Sequence, residues 1–325
     1  MLCVIYVITI GTLLGVIALL VERVLPPTWP RRWVWCAVIP LSIAVPGFYR
    51  SHHAWSIAKA FEQQATPTSS HVLSMTSLLP FDAAWWARFD SHGSIIGRLW
   101  LSASAVVLLW GLANAVRVWL VVRSARRCSD DADRPALVDG VRVVVTDGVG
   151  PATVGLLTSR VLLPRWVLAL PGVQRRYVVQ HEEEHRRAHD ALLMFVASLT
   201  LLLMPWNVAL WWHLRRLSLA IEMDCDNRVV GALGDAHAYG TLLLKVAQAS
   251  SRGPRLQPAL LGGMGMLERR LTALLEPTPL RHLQRFLLPA AAIALLALVL
   301  SMPHPVVGQP SHAHSTMNGG ATHTP

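Results

Sequence analysis

Two histidines four residues apart, His181 and His185, are the strongest sign of a metal site in this chain. On a helix, residues i and i+4 lie on one face, so the two imidazoles project side by side, as a single metal ion requires. Glu182 lies at the edge of that face, where its carboxylate can hold a water molecule beside the metal. The alternative is a charged, solvated helix turn in a chain with 14 histidines. A third metal ligand elsewhere in the chain would favour the metal site.

A second i,i+4 pair, Glu222 and Asp226, lies downstream. A glutamate can complete a Zn²⁺ site of two histidines and one carboxylate, and in the H-E-x-x-H pattern of zinc peptidases Glu182 is the general base. Asp226 is predicted to accept the free N–H of a ligating imidazole and so to set its tautomer. Cys225 is an alternative thiolate ligand, but we expect it to point away from Glu222 and to be an ordinary cysteine.

An apolar run at 191–212 separates the two motifs and is interrupted at Pro205. At a rise of about 1.5 Å per residue, the arms 185–205 and 205–222 are about 30 Å and about 26 Å long. A reversal at Pro205 would therefore return Glu222 to the level of the histidines. A single membrane crossing would instead leave Glu222 on the far side as an ordinary surface acid. We therefore predict a helical hairpin that dips into the bilayer or packs on it.

The composition indicates an integral membrane protein, because 53% of the residues are hydrophobic and the mean hydropathy is +0.42. We predict four transmembrane helices, at residues 2–21, 33–49, 99–122 and 286–302. The first is long enough to cross the hydrocarbon core. We expect it to be an anchor rather than a signal peptide, because no basic leader precedes it and no small-residue cleavage site follows it.

Arginines determine the predicted orientation. They follow the first and third segments, at Arg23, Arg31, Arg32, Arg123, Arg126 and Arg127. The positive-inside rule places both groups in the cytoplasm and leaves the N-terminus, the loop 50–94 and the tail 303–325 outside. The net charge of +10 largely reflects these arginines. Direct nucleic-acid binding is the competing use of basic charge, but no basic platform interleaved with aromatic residues supports it.

The predicted fold class is a mainly α-helical membrane protein with a cytoplasmic α+β zinc peptidase domain that includes the hairpin. The predicted parts are a membrane domain at 1–122, the peptidase domain at 123–285, the fourth transmembrane helix at 286–302 and a short disordered His-rich tail at 303–325.

Within the predicted peptidase domain, the valine-rich segment 141–146 and the apolar segment 161–163 are expected to be strands. The residues 150–155 between them are predicted to be a turn-rich connection. The helix that carries His181 is predicted to begin near Pro171.

Together these features resemble the BlaR/MecR family of integral-membrane gluzincin metallopeptidases. The resemblance rests on the order of the segments and on the following motifs: His181-Glu182-x-x-His185 with Asp190 behind it, Glu222-x-x-x-Asp226, 150–156, 161–164 and 267–271. It implies that His181, His185 and Glu222 bind Zn²⁺, that Glu182 is the base and that Asp226 supports a ligand. Glu183 and Glu184 make the motif more acidic than is usual in the family.

The resemblance implies an antirepressor protease of the bacterial cytoplasmic membrane that carries an outside signal inward. Its expected substrate is a cytoplasmic transcriptional repressor, of the winged-helix type. Two alternatives stay open: a housekeeping membrane protease of the CaaX-processing type, and a non-catalytic receptor or scaffold with a structural zinc. The presence of Glu182 argues against the scaffold, because a structural zinc site needs no general base.

The sequence after the fourth predicted segment leads us to expect no penicillin-binding sensor domain. The signal is therefore expected from a separate outside partner, from the membrane, or from metal bound by histidines in the outside loop and the tail. An oxyanion stabiliser is also required. Tyr239 and His237 are available, and the spacing selects neither.

Overall fold

The computed structural model describes residues 2–26, 29–47, 94–127, 136–146, 150–250, 264–276 and 283–302. The predicted tail at 303–325 lies outside these residues, and so does almost all of the predicted outside loop at 50–94. Within the described residues the chain is mainly helical, with one small mixed sheet.

The described residues contain eleven helices, and all four strands lie between the third and the fourth of them. In order they are α1 (Leu2–Val24), α2 (Arg32–Gly47), α3 (Ser94–Arg127), α4 (Arg165–Leu168), α5 (Gly172–Ala188), α6 (Asp190–Ser198), α7 (Thr200–Leu203), α8 (Val208–Leu233), α9 (Ala236–Ser250), α10 (Met264–Leu275) and α11 (Gln284–Ser301). The predicted start of the histidine helix near Pro171 is confirmed, since Pro171 is the N-cap residue of α5.

Three helices of the described residues are long and apolar enough to cross a membrane: Val4–Val24, Gly97–Leu120 and Gln284–Ser301. They correspond to the first, third and fourth predicted segments. The second predicted segment forms α2, which is apolar but shorter than 18 residues. The chain is therefore a membrane protein with three candidate spans, and α2 falls below the length of a full crossing.

The sheet has the strand order β1-β2-β4-β3, with β2 and β4 parallel and the outer pairs antiparallel. Its strands are β1 (Ala136–Val138), β2 (Val141–Thr146), β3 (Ala152–Val154) and β4 (Arg160–Pro164). Asp139 and Gly140 join β1 to β2 with positive φ angles of 49° and 85°. A two-residue hairpin turn of this kind favours Asp-Gly.

The strand predictions at 141–146 and 161–163 are confirmed. The prediction that 150–155 is only a turn-rich connection is wrong, because β3 lies inside it. Thr153 pairs with Val161 of the neighbouring strand, and Gly155, with a φ of 106°, ends β3. A three-residue strand is too short to show a period in the sequence, so only pairing with β4 reveals it.

Helix α8 passes through two apolar clusters. Its first half packs Leu210, Leu214 and Leu217 among residues of α1 and α2. Its second half packs Cys225 and Val229 against the sheet, α5 and α9. Residues near Glu222 therefore lie where the cluster of membrane helices meets the cluster around the sheet.

The chain reverses after Pro205, as the hairpin prediction requires. Helix α7 ends at Leu203, and Asn207 begins α8 by accepting a hydrogen bond from the backbone N–H of Ala209 at 3.1 Å. The carbonyl groups of Leu202 and Leu203 accept hydrogen bonds from Ser104 and Trp100 of α3, at 2.9 and 3.0 Å. These contacts satisfy backbone groups that a broken helix leaves free.

Candidate metal centre

The side chains of His181 and His185 meet on one face of α5. Their Nε2 atoms are 3.2 Å apart and the ring planes are nearly perpendicular, at 89°. Each side chain is 13% exposed, so the pair lies mostly out of water. The i,i+4 spacing produces this arrangement because both residues belong to one uninterrupted helix.

Glu222 reaches the same point from α8. One carboxylate oxygen is 3.6 Å from Nε2 of His181, and the other is 3.9 Å from Nε2 of His185. Ligand atoms bound at about 2.0–2.1 Å around a tetrahedral ion lie roughly 3.3–3.4 Å apart. The three predicted ligands are therefore brought together at nearly the separations that a zinc ion needs.

The outer nitrogens of both rings are occupied by hydrogen bonds. Nδ1 of His185 is 2.8 Å from a carboxylate oxygen of Asp190, and Nδ1 of His181 is 2.9 Å from the hydroxyl of Tyr239. The Tyr239 hydroxyl donates to Asp226 at 2.7 Å, so it accepts from Nδ1–H of His181. In their neutral form, both imidazoles therefore carry the proton on Nδ1 and turn the Nε2 lone pairs toward each other. Two lone pairs and a carboxylate at this distance fit a cation between them.

The prediction that Asp226 accepts an imidazole N–H directly needs a correction. Its carboxylate is 3.6 Å from Nδ1 of His181, and the Tyr239 hydroxyl bridges the two. Asp190 makes the direct contact instead, with His185. In a continuous helix a residue five positions on would be rotated about 140° away from His185. The left-handed backbone of His189, with φ 54°, breaks the helix and turns Asp190 back.

Arg270 of α10 binds both acids of α8. It donates to Glu222 at 2.9 Å, and to Asp226 at 2.6 and 2.8 Å. A guanidinium offers donors in a rigid fork, so one side chain can hold two carboxylates in a fixed relation. Arg270 therefore orients Glu222 toward the histidines. Arg270 lies 44 residues after Asp226, within the motif 267–271 that contributes to the family resemblance, but the motif alone predicts no role for it.

The expectation that Cys225 points away from the site is wrong. The residue is buried, and its Sγ lies 3.3 Å from Nδ1 of His181. Residues three apart on a helix are neighbours, so Cys225 shares a face with Glu222. His181, His185 and Cys225 also form a group that could hold a metal ion, with one ligand atom from each lying within 4.8 Å of the others.

Glu182 is buried beside the sheet. The Thr153 hydroxyl of β3 lies 3.1 Å from a carboxylate oxygen of Glu182 and 2.7 Å from its backbone carbonyl. Since β3 was predicted to be a turn, Thr153 was not a candidate. The contact places the carboxylate next to an edge strand of the sheet.

The neighbouring acids have partners of their own. Glu183 binds Arg186 and Arg187, and Glu184 binds Arg228. The charges of these two additional glutamates are therefore neutralised by arginines that are not among the candidate metal ligands.

The two candidates for stabilising an oxyanion are placed differently. The hydroxyl of Tyr239 lies on the Nδ1 side of His181, away from the pair of Nε2 atoms. His237 is exposed near the start of α9. The structure therefore assigns Tyr239 to the support of a histidine.

The charges of the group favour a bound cation. Burial would raise the pKa of Glu222, but the Arg270 guanidinium and the imidazoles hold that pKa well below its usual range. Burial lowers the pKa of His181, while Cys225 and Glu222 outweigh it and raise the pKa to about 10. Burial and Asp226 raise the pKa of Tyr239, so its hydroxyl stays protonated and donates. The histidines therefore face an anionic environment that a proton or a metal ion can compensate.

The family model described as BlaR1 peptidase M56 matches residues 2–274 of the 325-residue chain. No curated protein matches the chain. The matched residues contain α1 and the candidate ligands His181, His185, Glu222 and Cys225, and they end one residue before the end of α10.

Proposed function

Because the chain belongs to the BlaR1 peptidase M56 family, we propose that it is a zinc-dependent membrane endopeptidase that cleaves a cytoplasmic transcriptional repressor. The observation that carries the proposal is the convergence of two Nε2 atoms and the Glu222 carboxylate at 3.2–3.9 Å. Family membership makes this chain a metallopeptidase by class, and a peptidase acts on protein. The substrate and the orientation in the membrane belong to the proposal.

The proposed zinc ligands are His181, His185 and Glu222. We prefer Glu222 to Cys225 because its carboxylate faces Nε2 of both rings, whereas Sγ of Cys225, which also contacts His185, lies 3.3 Å from Nδ1 of His181. That nitrogen already binds the hydroxyl of Tyr239, which leaves the Nε2 atoms as the free ligand positions. Asp190, Tyr239 and Asp226 then set the tautomers of the ligating rings, as acceptors behind metal ligands generally do.

Glu182 is the proposed general base. Bound zinc would supply Lewis acidity, lowering the pKa of water and polarising the scissile carbonyl. Glu182 takes a proton from the attacking water and passes it to the leaving amine. The Thr153 hydroxyl holds the carboxylate beside β3, and burial keeps bulk water from competing for it. Nothing in this scheme uses Glu183 or Glu184.

The proposed topology has four membrane segments and a cytoplasmic peptidase domain at 123–285, flanked by the membrane domain 1–122 and the segment 286–302. The short helix α2 serves as the second segment. Helices α6 and α7 form the first arm of the hairpin, and the start of α8 forms the second. The outside parts are the loop 50–94 and the tail 303–325. A separate outside partner, the membrane or metal at the histidines would supply the signal.

Single-cysteine labelling in a cysteine-free background should test this topology. Cysteines that replace Arg126 and Arg175 are expected to react only from the cytoplasm, and those that replace Ser70 and Ser315 only from outside, because the arginine clusters stay on the cytoplasmic side. Labelling of a cysteine at Arg215 on the side opposite to Arg175 would mean that 191–212 crosses the membrane. The hairpin would then be excluded.

A substrate trap tests the activity. Full-length chain with Glu182→Gln should keep its zinc and retain a cytoplasmic protein that the wild type cleaves, so affinity purification from cells should enrich that protein. Glu222→Ala is the matched control, since it lacks the metal that holds the substrate in place. A captured DNA-binding protein whose abundance rises in the Glu182→Gln strain supports the proposal.

The other outcomes of the trap distinguish the alternatives. Capture of membrane proteins with a processed C-terminus would favour the CaaX-type housekeeping protease. If the Glu182→Gln substitution enriches no protein and changes the abundance of none, the catalytic proposal fails. The non-catalytic receptor or scaffold with a structural zinc would then be the better account.

A further inference from the structure

We propose that Arg32, in the corner between the membrane helices α1 and α2, is a positioning residue for the metal ligand His185. It acts through Asp190, so the position of α2 is transmitted to the metal centre. This inference rests on the function proposed above, and it adds a route by which the membrane helices can regulate that site.

The connection consists of one carboxylate with two partners. One oxygen of Asp190 accepts from Nη1 of Arg32 at 2.9 Å, and the other lies 2.8 Å from Nδ1 of His185. The side chains of Asp190 and Arg32 are 5% and 14% exposed. Water therefore screens this contact little, and a buried carboxylate hydrogen-bonded to a guanidinium is held in a fixed orientation. A fixed Asp190 fixes the plane of the His185 ring.

A second contact joins the start of α2 to α8, the helix that carries Glu222. Asp224 of α8 accepts the backbone N–H groups of Arg31 and Arg32 at 2.9 and 3.0 Å. These donors lie at the N-terminus of α2, at its first residue and the residue before it, where N–H groups have no partner within the helix. Asp224 lies two residues after Glu222, so the helix that supplies the third ligand also holds the N-terminus of α2. The corner is thus joined to the metal group at Asp190 and at Asp224.

Helix α2 is placed to move this corner. Trp35, Val38 and Ile39 of α2 are buried in one cluster with residues of α1, α8 and α11. A displacement that lengthens the Arg32–Asp190 contact by about 1 Å would take it beyond hydrogen-bond range. Arg228 is the other cation near this carboxylate, with Nη2 4.0 Å from Asp190, but its Nε is held by Glu184. Arg32 is therefore the closer partner, and it comes from the membrane domain.

Zinc affinity and a cobalt spectrum test the proposal on the full chain in detergent. Arg32→Ala is expected to weaken zinc binding by about tenfold, the lower end of the range for residues behind a ligand. It should also shift the d–d bands of Co²⁺, because His185 turns. Arg31→Ala is the matched control, because it removes the same charge at the preceding residue and keeps the backbone donor to Asp224. Its zinc affinity and Co²⁺ spectrum should be those of the wild type.

Two further variants separate positioning from general stability. Asp190→Ala should weaken zinc binding about 10–100-fold, and Arg32→Ala should add nothing in that background because it acts only through Asp190. Asp224→Ala, which removes hydrogen bonds to α2 rather than to the histidines, should reproduce the shift seen with Arg32→Ala. Chelator competition measures affinity, and thermal unfolding monitors folding.

Independent losses from Arg32→Ala and Asp190→Ala, or an unchanged affinity and spectrum in Arg32→Ala, would overturn the inference. If the alanine variant does not fold, Arg32→Met decides, because it keeps the length of the side chain without its charge: a weakened zinc affinity supports positioning, and wild-type affinity refutes it. The function proposed above fails separately, if the wild-type chain binds no zinc. If the wild type binds zinc and the Arg32→Ala variant has the same zinc affinity and Co²⁺ spectrum, only this inference is refuted.

Discussion

Purified chains that carry His181→Ala, His185→Ala or Glu222→Ala are expected to lose stoichiometric zinc. Three protein ligands leave no spare, so the removal of any one leaves two, fewer than catalytic zinc sites use. Elemental analysis of detergent-purified protein measures the zinc-to-chain ratio. Asp226→Ala should weaken binding by about 10–100-fold without abolishing it, because its carboxylate reaches His181 through Tyr239.

Two variants sharpen this prediction. Glu183→Ala is the matched control, since Glu183 lies on the same helix but binds the half-exposed Arg186 and the exposed Arg187. It should keep its zinc. Cys225→Ser discriminates between the two ligand sets that the geometry permits, and we expect it to keep its zinc as well. Loss of zinc from Cys225→Ser together with retention by Glu222→Ala would replace Glu222 with Cys225 as the third ligand.

The second large effect is expected at Glu182. Glu182→Gln should slow peptide-bond cleavage by about 10²–10⁴-fold, the usual contribution of a general base, because an amide cannot accept the proton of the attacking water. Zinc content should stay stoichiometric, because Glu182 is not among the three ligands. The rate is measured on the protein captured by the trap, as the appearance of its fragments over time.

Glu183→Gln is the control for this experiment, because it makes the same chemical change at the next residue. Its partners are arginines on the outer side of the helix, so cleavage should proceed at nearly the wild-type rate. Cleavage by Glu182→Gln at the rate of the wild type would contradict the assignment of Glu182 as the general base.

The parts of the site that obey local geometry could be predicted from the sequence. The positions of His181 and His185 follow from the helical repeat alone, since residues four apart share a face in any α-helix. The return of Glu222 required only the lengths of two arms and a break at Pro205. The apolar helices α1, α3 and α11 and the strand β2 were also predictable, because each contains a continuous run of apolar residues.

The error at Cys225 had a different origin. The helical repeat itself places Cys225 on the face of Glu222, three residues away. Its position beside the histidines was therefore predictable from the sequence. At β3, by contrast, the sequence contained too little information. A three-residue strand is defined by its hydrogen bonds to β4, and no periodicity can reveal it.

The residues that hold the ligands in place depend on contacts between distant parts of the chain. Asp190 meets His185 only because His189 adopts a left-handed conformation, and Tyr239 meets His181 because α9 packs against α5. Arg270 and Arg32 come from segments 44 and 158 residues away from the acids that they bind. A helical repeat relates residues within a few turns, whereas contacts over such separations depend on how whole helices pack. The helical repeat and the lengths of the apolar runs thus predict which residues can bind the metal, whereas the packing of α2, α9 and α10 fixes which residues hold them in place.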